Sequence, residues 1–144
     1  MRIVGPVKMG LGLLLLMLIF ACAAGQKQYD VAMQLSAAGK YKEAIAYFEQ
    51  ALEKEPNNEK YQQALTELKE KLIAQYVQQG QTALKSQSPV TVGAVSKAKS
   101  ALSEAKSIDA SHPDVIALDR TVTREEQALI AEIQNLYETS RAAV

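Results

Sequence analysis

From Lys27 onward the apolar residues recur three and four positions apart, and no stretch alternates with period two. β-Branched residues gather only in the region 90–95. The pattern therefore predicts helices throughout. A first helix is expected over 27–38, with Tyr29, Ala32, Met33 and Ser36 on one face and Val31 and Leu35 beside them; Gly39 ends it as the left-handed residue a helix C-terminus favours. A second is expected over 41–54, with Ala44, Ile45, Phe48, Ala51 and Leu52 as one inward stripe. Pro56 stops it, and Asn57 or Asn58 caps the next helix. This third helix is long and expected over 59–86, with Tyr61, Leu65, Leu68, Leu72, Tyr76, Gly80 and Ala83 in line. Gly80 inside a helix costs up to about 1 kcal/mol against alanine, which points to close packing or a break. The region 86–93, with Pro89 and Gly93, reads as a loop. A fourth helix is expected over 94–108, with Val95, Ala98, Ala101, Leu102 and Ala105 inward. Ser111 as the cap, an early Pro113 and the acid Asp114 mark the start of a fifth that runs to about Arg141, with Val115, Leu118, Val122, Leu129, Ile133 and Leu136 inward.

The first 25 residues break from this pattern. Arg2 and Lys8 precede an uncharged apolar run, 11–20, and small residues follow at Ala21, Cys22, Ala23 and Ala24. That order is the signature of a signal peptide. The apolar stretch from Met9 to Gly25 has 17 residues, at the short end of what spans a bilayer, so an uncleaved anchor is the rival reading. Cys22 is the sole cysteine, which excludes an intramolecular disulfide. Its place after the apolar run admits three readings: a residue discarded with the signal, a free or intermolecular thiol, or a lipidated N-terminus. Ile19-Phe20-Ala21-Cys22 resembles the lipobox of bacterial lipoproteins, although Phe20 stands where a small residue is usual. Cleavage after Ala23 or Ala24 is the alternative. The resemblance implies a diacylated Cys22 and, with Ala23 rather than an aspartate after it, transfer to the outer membrane facing the periplasm. Residues 1–21 are then the signal peptide and 22–26 a tether.

Charge narrows the partners. Removing the two bases of the signal leaves 14 bases against 16 acids, a net of −2, which gives no basic footprint for nucleic acid. Catalytic chemistry is equally thin. A hydrolase triad needs a histidine base, and the one histidine, His112, sits beside Pro113 in a helix-start turn. One histidine and one cysteine give no metal-ligand cluster. Glu125 and Glu126 are adjacent on a helix and diverge, and no glycine-rich phosphate cradle occurs. The chain reads as no enzyme, with no catalytic residue, metal or cofactor.

One segment carries a specific pattern. Gly39-Lys40-Tyr41-Lys42-Glu43-Ala44-Ile45-Ala46-Tyr47-Phe48-Glu49-Gln50-Ala51-Leu52-Glu53-Lys54-Glu55-Pro56-Asn57-Asn58 resembles the second half of a tetratricopeptide repeat, with Ala44, Phe48, Ala51 and Pro56 in the family's places. Counting back, the repeat starts at Gly25; Val31, Ala32 and Leu35 take the family's Leu, Gly and Tyr positions, and Gln28 stands where Trp is usual. A degenerate second copy comes after it. Tyr76, Gly80 and Ala83 suit its first helix and Ala98, Leu102 and Ala105 its second, with six extra residues in the loop around Pro89. The organisation expected is repeat 1 over 27–58, a long helix and degenerate repeat 2 over 59–110, and a capping helix over 111–144. The fold class is all-α, antiparallel helix–turn–helix repeats forming a short solenoid.

The resemblance implies a function in binding. The first helix of each repeat lines the groove in that family, which carries over to Gln26, Tyr29, Met33 and Ser36 in the first repeat and to Val77, Gln81 and Leu84 in the second. The rival is that Tyr29 and Met33 pack on the third helix. The whole is similar to small tetratricopeptide lipoproteins that serve as pilotins or assembly factors, and to the repeat modules preceding some secretin pores. The expected partner is an envelope protein, with the membrane engaged through the lipid anchor. The alternatives are a structural homo-oligomer, since two repeats are fewer than a solenoid usually needs, a module related to a secretin-type channel, and a soluble periplasmic repeat protein.

Overall fold

The computed structural model describes residues 24–86 and 88–143. The expected signal segment and Cys22 lie outside the described residues. Among those described there are five helices and no strand: α1 (Gln26–Ala37), α2 (Tyr41–Lys54), α3 (Glu59–Lys85), α4 (Val92–Asp109) and α5 (Pro113–Ala142). The fold is all-α and built of helix–turn–helix pairs. No described helix is long and apolar enough to cross a membrane. The chain forms two compact units that divide within α3, after Leu68.

In the first unit, local chemistry sets the ends. Gly39 has φ +77°, a conformation that a side chain would strain. Its N–H donates to the Ser36 carbonyl at 3.1 Å and that of Lys40 to the Leu35 carbonyl at 2.9 Å. These two bonds are the Schellman pattern that closes α1 and turns the chain into α2. The core is Tyr29, Ala32, Ala44, Phe48, Ala51, Tyr61 and Leu68. Ala32, Ala44 and Ala51 have no exposed surface at all, as expected of small residues where two helices cross closely. Tyr29 packs its ring against Phe48, with centroids 5.5 Å apart, and stacks on Tyr61 at 4.9 Å. Lys60 lies over the same tyrosine ring at 4.1 Å.

The second unit has its own core, in which Ile73, Val77 and Leu84 meet Val95, Ala98, Leu102 and Ala105 of α4 and Val115, Leu118 and Val122 of α5. Gly80 is the point of closest approach. A Cβ there would stand 2.8 Å from Leu118 Cδ2, so glycine's cost to the helix is offset by packing. Lys99 bridges Glu126 at 2.8 Å and Lys106 bridges Asp119 at 2.8 Å. Seven steps forward on α4 match seven back on α5, which fixes these helices as antiparallel. Both bridges are half-exposed and contribute little stability.

Three expectations need correction. The cap of α5 is His112 rather than Ser111: His112 Nδ1 accepts from the Asp114 N–H at 3.2 Å, and Pro113 opens the helix. Ser111 is spent on Asp109, to which its hydroxyl donates at 2.6 Å and its N–H at 2.8 Å; these bonds hold the Asp109 carboxyl below its usual pKa. Helix α4 begins at Val92 rather than Ala94, because the Thr91 hydroxyl accepts from the Ala94 N–H at 3.2 Å and satisfies the first turn. The inward stripe of α5 is buried only through Val122; Leu129 is half-buried, and Ile133 and Leu136 are exposed. The α4–α5 register gives the reason. Val92, the first residue of α4, lies level with Ile133, so α4 offers nothing to cover Leu136.

A carboxylate clasps the first unit. Glu55 Oε1 accepts from the Gly25 N–H at 2.8 Å, and Oε2 accepts from the Asn58 amide at 2.8 Å. Asn58 Oδ1 in turn accepts from the Tyr61 N–H at 3.4 Å, capping α3. The Asn58 bond, and after it the Gly25 bond, hold the Glu55 carboxyl below its usual pKa. A lowered folded-state pKa means that the unfolded chain takes up the proton first. The clasp therefore stabilises above the ordinary glutamate pKa, and this contribution is lost as pH falls through the lowered folded value. Glu55→Gln is expected to lower the melting temperature at pH 7 and to flatten the acid limb of the stability–pH curve. Thermal melts of both proteins from pH 7 to pH 3 check this, and parallel curves would contradict it.

Candidate functional site

Of the residues expected to line a groove, Tyr29, Val77 and Leu84 are interior. Tyr29 is held by its two aromatic neighbours. Val77 and Leu84, seven residues apart on one face of α3, join Ile73 in the second core. These three are unavailable to a partner, which corrects the expectation; the rival reading for Tyr29, packing on the third helix, is the one the geometry matches. Met33 is 47% exposed, Gln26 and Gln81 are exposed, and Ser36 is half-buried. Gln26 is also engaged, since its amide donates to Asp30 at 2.7 Å and its Oε1 accepts from the Tyr61 hydroxyl at 3.3 Å. The first-repeat surface is thus Met33 with polar neighbours.

The residues set for repeat packing hold the interior. Ala44, Phe48 and Ala51 lie in the first core, and Ala98, Leu102 and Ala105 in the second. Gly80 is buried against Leu118, and Pro56 is exposed in the turn between α2 and α3.

Two grooves open on the second unit. One, about 710 Å³, runs between α3 and α4. Gln75, Gln78, Gln79 and Thr82 form its α3 wall, and Lys97, Ser100 and Glu104 lie on the α4 side. The other, about 620 Å³, lies between α4 and α5 and is apolar at its open end, where Val92, Ile130 and Ile133 meet. Sequence reasoning missed the first because it set Val77, Gln81 and Leu84 outward. The signal was present as the run of glutamines on α3, since a helix buries its aliphatic positions before its amides.

Little in these grooves supports bond-making chemistry. His112 Nδ1 accepts from the Asp114 N–H in the first turn of α5, and its Nε2 lies 3.1 Å from Glu70 Oε2 on α3, so both ring nitrogens are engaged. Among the described residues no three His, Cys, Asp or Glu side chains cluster as metal ligands. The amide groove offers something else. Each glutamine presents a carbonyl oxygen and two N–H donors, which match the acceptor and donor of a peptide unit.

Residues 26–68 match the tetratricopeptide repeat family. The match spans 43 of the 144 residues, under half of the chain. The matched span takes in α1, α2 and the first part of α3, the helices that build the first core. No curated protein and no solved structure matches the chain. Tetratricopeptide repeats generally mediate protein–protein interactions and are typically non-catalytic, which agrees with grooves rich in hydrogen-bonding and apolar side chains.

Proposed function

We propose that this tetratricopeptide protein is a binding scaffold or assembly factor of the bacterial envelope, tethered through a lipidated Cys22 and facing the periplasm from the outer membrane. It takes an extended segment of a partner protein. The observation that carries the reading is the amide-lined groove between α3 and α4. Gln75, Gln78, Gln79 and Thr82 recur at three- and four-residue spacing along its wall. A row of this kind bonds a peptide backbone without demanding one sequence, and Lys97 and Glu104 supply charge at the opposite side. The resemblance to small pilotin-type lipoproteins supports the envelope role.

Gln79 and Thr82 are exposed on α3, so bulky charge there blocks the groove without disturbing the core. The variant Gln79→Arg with Thr82→Arg is expected to recover at least about tenfold less partner from an envelope extract, as the loss of two hydrogen bonds implies. Met33→Ala is expected to leave recovery within about twofold. Recovery of the same partners in the same amounts by the groove variant would overturn this site.

The anchor has its own test. Each buried CH₂ contributes about 0.8 kcal/mol and stable anchoring takes more than one chain, which a diacylglyceryl cysteine supplies. Mass spectrometry of the N-terminal peptide is expected to find an acylated Cys22, and Cys22→Ser is expected to leave the membrane fraction on a carbonate wash. An unmodified start at Ala24 or Gly25 contradicts the anchor, as does an intact Met1.

A further inference from the structure

The first unit is rooted at the point where the chain enters it. Gly25, the residue before α1, is buried, and its N–H donates to Glu55 Oε1 at 2.8 Å, 30 residues on and just past the end of α2. Its carbonyl accepts from the Tyr29 N–H at 3.0 Å and so opens α1. The seat has room for glycine only: a Cβ would stand 2.8 Å from the Ala51 carbonyl oxygen and 2.8 Å from the Tyr61 ring. Glu55 also holds Asn58 at 2.8 Å, so one carboxylate ties the start of α1 to the turn before α3. This entry point is close to the membrane in chain length. The three steps from Cys22 to Gly25 reach at most about 11 Å, whatever their conformation. The apolar stretch from Met9 ends at the same glycine. An acylated Cys22 and an uncleaved apolar run therefore leave the bilayer at the same place, within a few residues of Gly25. From there α1 leads away for 12 residues, about 18 Å, to the turn at 38–40, and α2 leads back to Glu55. The unit thus has a near end, the 55–58 turn with the start of α1, and a far end, the 38–40 turn.

We propose that the near end of the first unit lies on the lipid headgroups of the bilayer, with the Gly25–Glu55 clasp as the fixed root of the anchor. The inference rests on the membrane attachment proposed above and adds to it the surface that meets the bilayer. The chemistry of that surface fits. Gln26, Lys27, Pro56 and Asn57 are exposed there, and among the described residues none of the exposed large apolar side chains is. Turn backbone with unpaired polar groups stays out of hydrocarbon, so this end rests on the headgroups and does not enter the acyl layer. Lys27, Lys54 and Lys60 balance Glu53, Glu55 and Glu59 at the same end, so the short covalent root, and not charge, holds the surface down.

The chain has no tryptophan, so a single one introduced at a chosen place reports its own height above the lipid. Asn57→Trp and Ala38→Trp put it at exposed positions of the near and far turns. Each full chain is isolated from membranes and reconstituted into vesicles of phosphatidylethanolamine and phosphatidylglycerol that carry dansyl-phosphatidylethanolamine. Energy transfer from tryptophan to dansyl is then read, with circular dichroism to confirm helix content. Transfer from Asn57→Trp is expected to exceed that from Ala38→Trp at least about threefold, as a separation by the 12-residue length of α1 implies. Adding Glu55→Ala, below the temperature at which that variant melts, is expected to bring this ratio down by about half, because a freed first turn lengthens the tether. Equal transfer from the two positions, or more from Ala38→Trp, overturns the proposal. A ratio that Glu55→Ala does not move overturns the clasp as the root. A chain that fails to float with the vesicles overturns the attachment and this proposal together, whereas a floating chain with equal transfer overturns this proposal alone, so the two readings fail distinguishably.

Discussion

Two helices approach closely only where the side chains between them are small, and both units of this protein are built on that constraint. In the first unit Ala32, Ala44 and Ala51 lie fully buried at the crossings. In the second, Ala98 and Ala105 occupy the equivalent places, and Gly80 lets α3 pass against Leu118. The larger side chains then fill the wedges beside the crossings, Phe48 and Tyr61 in one core and Ile73, Leu118 and Val115 in the other. Packing density of this order leaves no room for an added methylene without movement.

The same constraint decides what remains for binding. Helices that pair through alanine and glycine commit their small residues inward and present amides, charges and a few large apolar groups outward. On α3 this exposes Gln75, Gln78, Gln79 and Thr82 along an open groove. On α5, Ile130, Ile133, Leu136 and Tyr137 are uncovered because α4 is the shorter helix and ends first.

Helix ends were legible in the sequence because they rest on local backbone chemistry. Gly39 supplies the left-handed residue, Asn58 the cap of α3 and Pro113 the first residue of α5. The crossings Ala44–Phe48–Ala51 and Ala98–Leu102–Ala105 were legible for a similar reason, since the repeat pattern names small residues and each fell inside. The open face of α3 was not. A single stripe from Tyr61 to Ala83 presumes one core, whereas α3 serves two, and the second takes Ile73, Val77, Gly80 and Leu84. That choice depends on what α4 and α5 bring to it, which no local pattern encodes. Tyr29 was misplaced for a related reason: its outward position in the family pattern assumes a neighbour other than Tyr61, and here the two rings stack. The uncovered half of α5 likewise comes from the relative lengths of two helices rather than from the stripe itself.

Close helix contact at small residues holds both units together, and equilibrium denaturation tests this directly. Ala44 and Ala46 sit two residues apart on α2, one fully buried and the other exposed. Leucine has a high helix propensity at either place, so the helix itself is little affected. Ala44→Leu is predicted to lose about 1–3 kcal/mol of unfolding free energy through overpacking, and Ala46→Leu to change it by less than about 0.5 kcal/mol. Equal effects from the two substitutions, or a stabilised Ala44→Leu, would contradict the claim that small residues at the crossings hold the fold together.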